Sequence, residues 1–391
     1  MKIAMVAGEA SGDELGYKLM AALKRRTPVS FIGVGGPRME AEGLTSFFPM
    51  ADIAVMGIVP VIKKLPTLLA RIRETTNKII AARPDILVII DSPDFTHRVA
   101  KRVRKTLPNL PVVDYVSPSV WAWRPGRAKA MRAYVDHVLA LLPFEPAAHQ
   151  RLHGPACTYV GHPLTEILTT LRPSPAEAQR RDAHPFRLLV LPGSRRSEIR
   201  RLLAVFGETV ERVARIVPDL DIILPAVPHL HDDIVAGVQS WPIQPRIVSG
   251  VDAKYEAFRT ARAALAASGT VTLELALSQV PTVVAYKVSK LEEQLKYLIT
   301  VSTIVLPNLI LGENAIPEFL QADANPEQLS AALLPLLGDT PERTRQMKAF
   351  AKLDDLMRLP EGTPSDKAAE IVLATAQGLS GNLSSLPVHA V

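Results

Sequence analysis

VAGEASGDELG, residues 6 to 16, decides the fold. An apolar run from Lys2 enters a glycine-bearing turn and then a helix start, the unit from which doubly wound α/β domains are built. The G-x-x-x-G spacing lets a ligand approach the backbone, and a helix N-terminus can hold an anion. Yet Glu9, Asp13 and Glu14 would repel a phosphate. The acids read as helix caps, as contacts to sugar hydroxyls, or as part of a dinucleotide cradle that their charge opposes.

Working outward, apolar runs bounded by turn signals recur with helical stretches between them, as parallel sheets require. They are KIAMVA (2 to 7), VSFIGV (29 to 34), ILVIID (86 to 91), PVVDYV (111 to 116) and HVLALL (137 to 142), then RLLVLP (187 to 192), DIILPA (221 to 226), AALAAS (263 to 268) and PTVVAY (281 to 286). Each half opens strand, glycine turn, helix. The expected fold class is α/β, with two Rossmann-like domains facing a central cleft. The boundaries read as 1–165, a polar, proline-bearing linker at 166–186, a second domain at 187–365, and a C-terminal segment at 366–391 that crosses back to the first domain or to a partner subunit.

A chain of 391 residues exceeds one ordinary core and suits two domains of roughly 150 to 200 residues. The single cysteine, Cys157, excludes an intramolecular disulfide and reads as a small core residue in a reducing compartment. The N-terminal apolar run ends at Glu9, too short for a signal peptide, and no stretch reaches the ~20 apolar residues of a membrane span. The expected location is cytoplasmic. Net charge is +6, but residues 60 to 132 hold fifteen Lys and Arg against five Asp and Glu. That window points to an anionic partner or to solvated helix faces.

In doubly wound sheets ligands sit beyond the carboxyl ends of the strands. ILVIID delivers Asp91 there, a candidate general base, whereas Asp94 reads as a helix-start acid. LPGSRRSEIRR (191 to 201) brings Gly193, Ser194 and Arg195 to a helix start, where amides, a hydroxyl and a guanidinium suit a diphosphate. ASGTVTLELA (267 to 276) repeats the arrangement with Ser268, Gly269 and Thr270. Glu274, one turn deeper, is placed for ribose hydroxyls or is a plain helix acid. The D-x-D at Asp219 and Asp221 precedes its strand, at the wrong end for a metal, and His229, His231 and Asp232 lack a further partner. No metal or other cofactor is expected.

MGIVPVIKKLPTLLARIR (56 to 73) sets Ile58, Val61, Ile62, Leu65, Leu69 and Ile72 at helical spacing, with Lys63, Lys64, Arg71 and Arg73 largely elsewhere. An interfacial helix uses this pattern to meet anionic lipid, and so does a helix packed on its own sheet. Pro60 and Pro66 argue against one uninterrupted helix.

Taken together, VAGEASGD, GVGGPRMEAEG, AVMGIV, DSPDF, YVSPSVWAWR, LPFE, VGHP, LPGSR, ASGTVTLE and LPNLILGE, in order from residue 6 to 313, make the chain resemble the lipid-A-disaccharide synthases. The resemblance implies a GT-B architecture with the UDP-sugar on the C-terminal domain. It implies inverting transfer of 2,3-diacylglucosamine from UDP-2,3-diacylglucosamine to 2,3-diacylglucosamine 1-phosphate (lipid X). It maps the family's essential aspartate onto Asp91 and its nucleotide-binding arginine and asparagine onto Arg195 and Asn308. Glu9 is the reserve candidate for the base. It further implies a peripheral protein on the cytoplasmic face of the inner membrane, where residues 56 to 73 would meet lipid. A homodimer with exchanged C-terminal segments is a further implication, and no nucleic-acid partner is expected. A UDP-sugar 2-epimerase of the same architecture is the rival reading. A nicotinamide oxidoreductase lacks its fingerprint, and a non-enzymatic binder leaves Asp91 and the two hydroxyl-bearing turns without purpose.

Overall fold

The computed structural model describes residues 1–53, 58–289 and 301–379, without the side chains of 58–63. The chain forms two compact units, Met1–Glu166 with Leu359–Val391, and Ile167–Arg358. The first holds β1 (Lys2–Ala7), β2 (Ser30–Val34), β3 (Thr45–Ser46), β4 (Ile86–Ile90), β5 (Val112–Tyr115), β6 (His137–Ala140) and β7 (Ala156–Tyr159). All pair in parallel, in the order β3-β2-β1-β4-β5-β6-β7. The second holds β8 (Phe186–Leu191), β9 (Leu220–Ala226), β10 (Arg246–Ser249), β11 (Ala263–Ala267), β12 (Thr282–Tyr286) and β13 (Glu318–Leu320), also parallel, in the order β10-β9-β8-β11-β12-β13.

Helices cover both faces of each sheet, which is why the central strands are unbroken apolar runs. Successive residues of a strand point to opposite faces. Ile86, Val88 and Ile90 therefore pack with Leu19 and Met20 of helix Ala10–Lys24. Leu87 and Ile89 pack with Ile72, Ile79, Val99 and Val103 on the other side. In the second unit Leu188 and Val190 meet Phe206 and Val210, while Leu189 and Leu191 meet Phe258 and Leu275. Each such burial stabilises by roughly 1.5–3 kcal/mol.

Both sheets reverse their strand order at one place, between β1 and β4 in the first and between β8 and β11 in the second. The helices on either side of such a point run to opposite faces, leaving a crevice at the carboxyl ends of the strands.

Two local features differ from the sequence reading, and the return of the C-terminal segment to the first unit, one of its two expected courses, begins earlier than residue 366. Helix Ile58–Ala82 runs through Pro66. Pro60 lies in the first turn, where a missing N–H costs nothing, and Pro66 is exposed, so its ring stands on the solvent side of the helix. The stretch 166–186 is largely built as short helices, including Leu168–Leu171 and Pro175–Asp182, and clusters with the second unit from Ile167 onward. The chain rejoins the first unit from Leu359, and helix Pro364–Ala376 buries Ala368, Ala369, Ile371 and Val372 in its core.

Candidate active site

At the first reversal point, Gly8 lies against the turn after β4. A Cβ on Gly8 would stand 2.6 Å from Ser92 Cβ and Oγ, so only glycine allows the approach. Asp91 and Ser92 both take left-handed backbone angles, with φ of 53° and 45°. Thr96 Oγ1 holds that turn by donating to Asp91 O at 2.7 Å, and Asp91 N donates to Tyr115 O. Two consecutive left-handed non-glycine residues are costly and persist where the surroundings fix them, often at functional sites. Asp91 is half-buried, and its carboxylate accepts from Ser11 Oγ at 3.1 Å and from Ser92 N at 2.7 Å. With about four lone-pair sites on a carboxylate, acceptor capacity remains.

The acids of the opening turn separate by task. Asp13 is buried and accepts from Gly36 N, Arg38 N and Met39 N at 2.9, 3.1 and 3.0 Å. It is the anion at the N-terminus of helix Pro37–Ala41, and Gly36 must be glycine beside it, because a Cβ there would stand 2.6 Å from Asp13 Oδ2. Glu14 pairs with Arg38 at 2.5 Å and Lys18 at 3.7 Å on the surface. Glu9 occupies the N-cap position of helix Ala10–Lys24 without a capping side-chain bond, and is half-buried. Asp94 is exposed in the first turn of helix Pro93–Thr106, with Arg127 3.4 Å away, as a helix-start acid should be.

The loops after β5 and β6 interlock. Trp121 Nε1 donates to Glu145 Oε1 at 3.1 Å, Leu142 N donates to Glu145 Oε2 at 3.0 Å, and the Trp121 ring meets Phe144 edge-on. Burial pushes the Glu145 carboxyl up to about 7, against the pull of the Leu142, Trp121 and Leu141 donors. YVSPSVWAWR and LPFE are thus two halves of one structure, with Arg124 stacked over the Trp123 ring.

At the second reversal point, the turns after the paired strands β8 and β11 carry Arg195 and Ser268–Thr270. The LPGSR turn differs from its sequence reading in one respect. Ser194 N and Arg195 N, the amides suited to a diphosphate, both donate to Glu198 Oε2, at 3.0 and 3.2 Å. Gly193 has φ of 116°, and a Cβ there would stand 2.5 Å from that same oxygen. What remains outward is the exposed Ser194 and the Arg195 side chain, whose guanidinium is 2.8 Å from Glu198 Oε1. Partial burial pulls the Arg195 pKa down, but Glu198 and Tyr286 outweigh it and the net direction is up.

Gly269 is the N-cap of helix Thr270–Leu277, and Gly269 and Thr270 are exposed. Ser268 Oγ donates to Ile304 O at 3.0 Å. Glu274 takes Lys254 Nζ on both oxygens, at 2.9 and 2.6 Å, with Tyr255 OH 3.4 Å away. Asn308 has a structural task instead of an outward one: it is buried, and its amide pairs both ways with the Ile316 backbone at 2.9 Å.

Asp221, at the amino end of β9, is enclosed by Arg187, Arg180 and Arg246. His231 meets Asp232, and among the described residues no group of three or more His, Cys, Asp or Glu is assembled as a metal site. Leu65 and Leu69 are exposed, at 44% and 40%, whereas Ile72, grouped with them by spacing, is core. The side chains of Ile58, Val61 and Ile62 lie outside the described residues. Among the described residues no helix is long and apolar enough to cross a membrane.

The family model for lipid-A-disaccharide synthetase matches residues 3–372. A lipid-A-disaccharide synthase of Rhodopseudomonas palustris (strain HaA2) is 57% identical over 375 residues, covering 95% of each chain. That of Nitrobacter hamburgensis is 57% identical over 383 residues, covering 97% of each. The chain belongs to the lipid-A-disaccharide synthase family. Membership makes it a glycosyltransferase that uses a UDP-sugar. Solved structures share the synthase fold at low identity. A UDP-GlcNAc 2-epimerase from Neisseria meningitidis bound to UDP-GlcNAc superposes with a TM-score of 0.61 at 12% identity, covering 97% of this chain and 100% of the other. Acinetobacter baumannii MurG does so at 0.56 and 13%, covering 95% and 99%. These likenesses show the shared GT-B fold alone, and the family model and the sequence relatives favour the synthase over the epimerase.

Ser11, Glu145, Glu198, Lys254 and Tyr286 were not singled out by sequence. Glu198 carried no capping-box signal, because the residue three before it is Arg195, which has no acceptor to serve as the cap.

Proposed function

We propose that this synthase transfers 2,3-diacylglucosamine from UDP-2,3-diacylglucosamine to the 6-hydroxyl of lipid X with inversion, releasing UDP and a β-1,6-linked disaccharide 1-phosphate. The observation that carries the residue assignment is the placement of Asp91, half-buried at a reversal point and held by Ser11 and its own turn with acceptor capacity to spare. Asp91 takes the proton of the attacking hydroxyl, an effect worth about 10² to 10⁴ in rate. Glu9, at the neighbouring strand end, binds acceptor hydroxyls and is the reserve base.

The second unit holds UDP. The Arg195 guanidinium and Ser194 hydroxyl, with Gly193 shaping their turn, meet the diphosphate. The Ser268–Gly269–Thr270 turn offers free helix-start amides, and Glu274 receives ribose hydroxyls. Asn308 acts through the loop it ties to Ile316. Arginine and helix-terminal amides stabilise charge developing on the leaving diphosphate, so no metal takes part. Exposed Leu65 and Leu69, with Lys64 and Arg73 on the same helix, would dock the protein on anionic lipid at the cytoplasmic face of the inner membrane. A homodimer remains part of this proposal.

Incubation with both acylated sugars tests the reading. UDP release matched by disaccharide formation, unaffected by EDTA, is expected. UDP release without disaccharide would contradict the acceptor assignment, and a strict divalent-metal requirement the metal-free chemistry.

A further inference from the structure

We propose that Glu198, braced by Tyr286, is the positioning residue that aims the Arg195 guanidinium at the diphosphate of UDP. The inference rests on the proposed role of Arg195 and assigns it a partner within the same unit.

Glu198 is only 4% exposed, and its two oxygens are served by four donors. Ser194 N and Arg195 N close on Oε2, while Arg195 Nη1 at 2.8 Å and Tyr286 OH at 3.3 Å share Oε1. A buried carboxylate so fully used is a fixed element, because removing any donor leaves charge uncompensated. It fixes backbone and side chain of Arg195 from one point. The amides lock the turn, and the bond to Nη1 selects one arm of the guanidinium. A guanidinium has five donors, so the pairing with Glu198 leaves others for a ligand. The Arg195 side chain is 53% exposed.

Tyr286 ends β12, two strands from β8 in the sheet, so its hydroxyl ties the turn to another strand end. Gly193 belongs to the same device, because any side chain there would collide with Glu198 Oε2. The turn resembles a phosphate cradle in sequence, yet the anion in it is the protein's own. The diphosphate is left to the arginine that this anion orients.

The test is equilibrium binding of UDP and of uridine to the wild type, Glu198→Gln, Tyr286→Phe, Arg195→Ala and the double variant Glu198→Gln/Arg195→Ala. Glu198→Gln should weaken UDP about 10- to 100-fold, as expected for loss of a charge-assisted bond that holds a ligand-binding group. Uridine, which has no diphosphate, should bind as to the wild type, and the double variant should be no weaker for UDP than Arg195→Ala alone. Tyr286→Phe should weaken UDP in the same sense by less, and decides the matter if Glu198→Gln does not fold. Unchanged or tighter UDP binding by Glu198→Gln, equal losses for uridine and UDP, or additive losses in the double variant would each overturn the inference while leaving the Arg195 assignment standing. Normal UDP binding by Arg195→Ala would instead overturn that assignment, and the inference with it.

Discussion

Asp13 shows how a residue can be read correctly as a cap and still be placed on the wrong helix. Its position in a helix-start turn was legible in the sequence, but its partners, Gly36, Arg38 and Met39, lie more than 20 residues away and follow from the pairing of β1 with β2. Asp13→Ala would leave those amides without their acceptor, at a cost of about 3 kcal/mol or more. Urea denaturation should show the loss, and UDP affinity of the folded protein should be unchanged. An unshifted denaturation midpoint would contradict the structural role. Asn308 carries the same lesson, since a motif shows that a polar residue matters but not whether it faces a ligand or the backbone.

Glu145 gives a pH-dependent counterpart. Its folded pKa of about 7 stands above the ordinary 4.5 because burial disfavours the ionised form. The folded state therefore holds the proton more tightly than the unfolded chain. This contribution to stability is full below about pH 4.5 and is lost as pH rises to about 7, in total roughly 3 kcal/mol. Glu145→Gln should flatten the fall in stability between about pH 5 and 8, read by denaturation at each pH. A slope identical to the wild type would contradict the assignment.

At the scale of elements, nine strands of the described residues were legible and four were not, and the four are β3, β7, β10 and β13, the outer strands of the two sheets. An interior parallel strand is buried on both faces and becomes a continuous apolar run, whereas ACTY, RIVS and EFL are partly exposed and lack one. Helix Ile58–Ala82 shows the opposite limit, because its periodicity was clear but local proline rules could not say that Pro66 would face water. Its exposed Leu65 and Leu69 belong to the membrane proposal. Changing both to serine should weaken binding to anionic vesicles about 10-fold or more while the fold is kept. Unchanged vesicle binding would remove this segment from the membrane contact.

At the scale of the molecule, the two-unit organisation was legible because each half restarts with strand, glycine turn and helix. The return of the chain to the first unit was one of two expected courses, but its start was not legible, since nothing local marks Leu359 as a boundary. It is fixed by packing of Ile371 and Val372 and by Asp366, which bonds Arg26 and Arg25 and whose carboxyl those contacts, with Thr363, hold well below the usual range. The strand-order reversals give the proposed division of labour its physical basis: one bears Asp91 and the other Arg195.

The most direct test of that division is to measure, on one preparation of Asp91→Ala, both turnover with the two acylated sugars and equilibrium binding of UDP. The account predicts a fall in kcat of about 10²-fold or more with UDP affinity within about twofold of the wild type. Near-normal turnover, or a loss of UDP affinity as large as the loss of turnover, would contradict it.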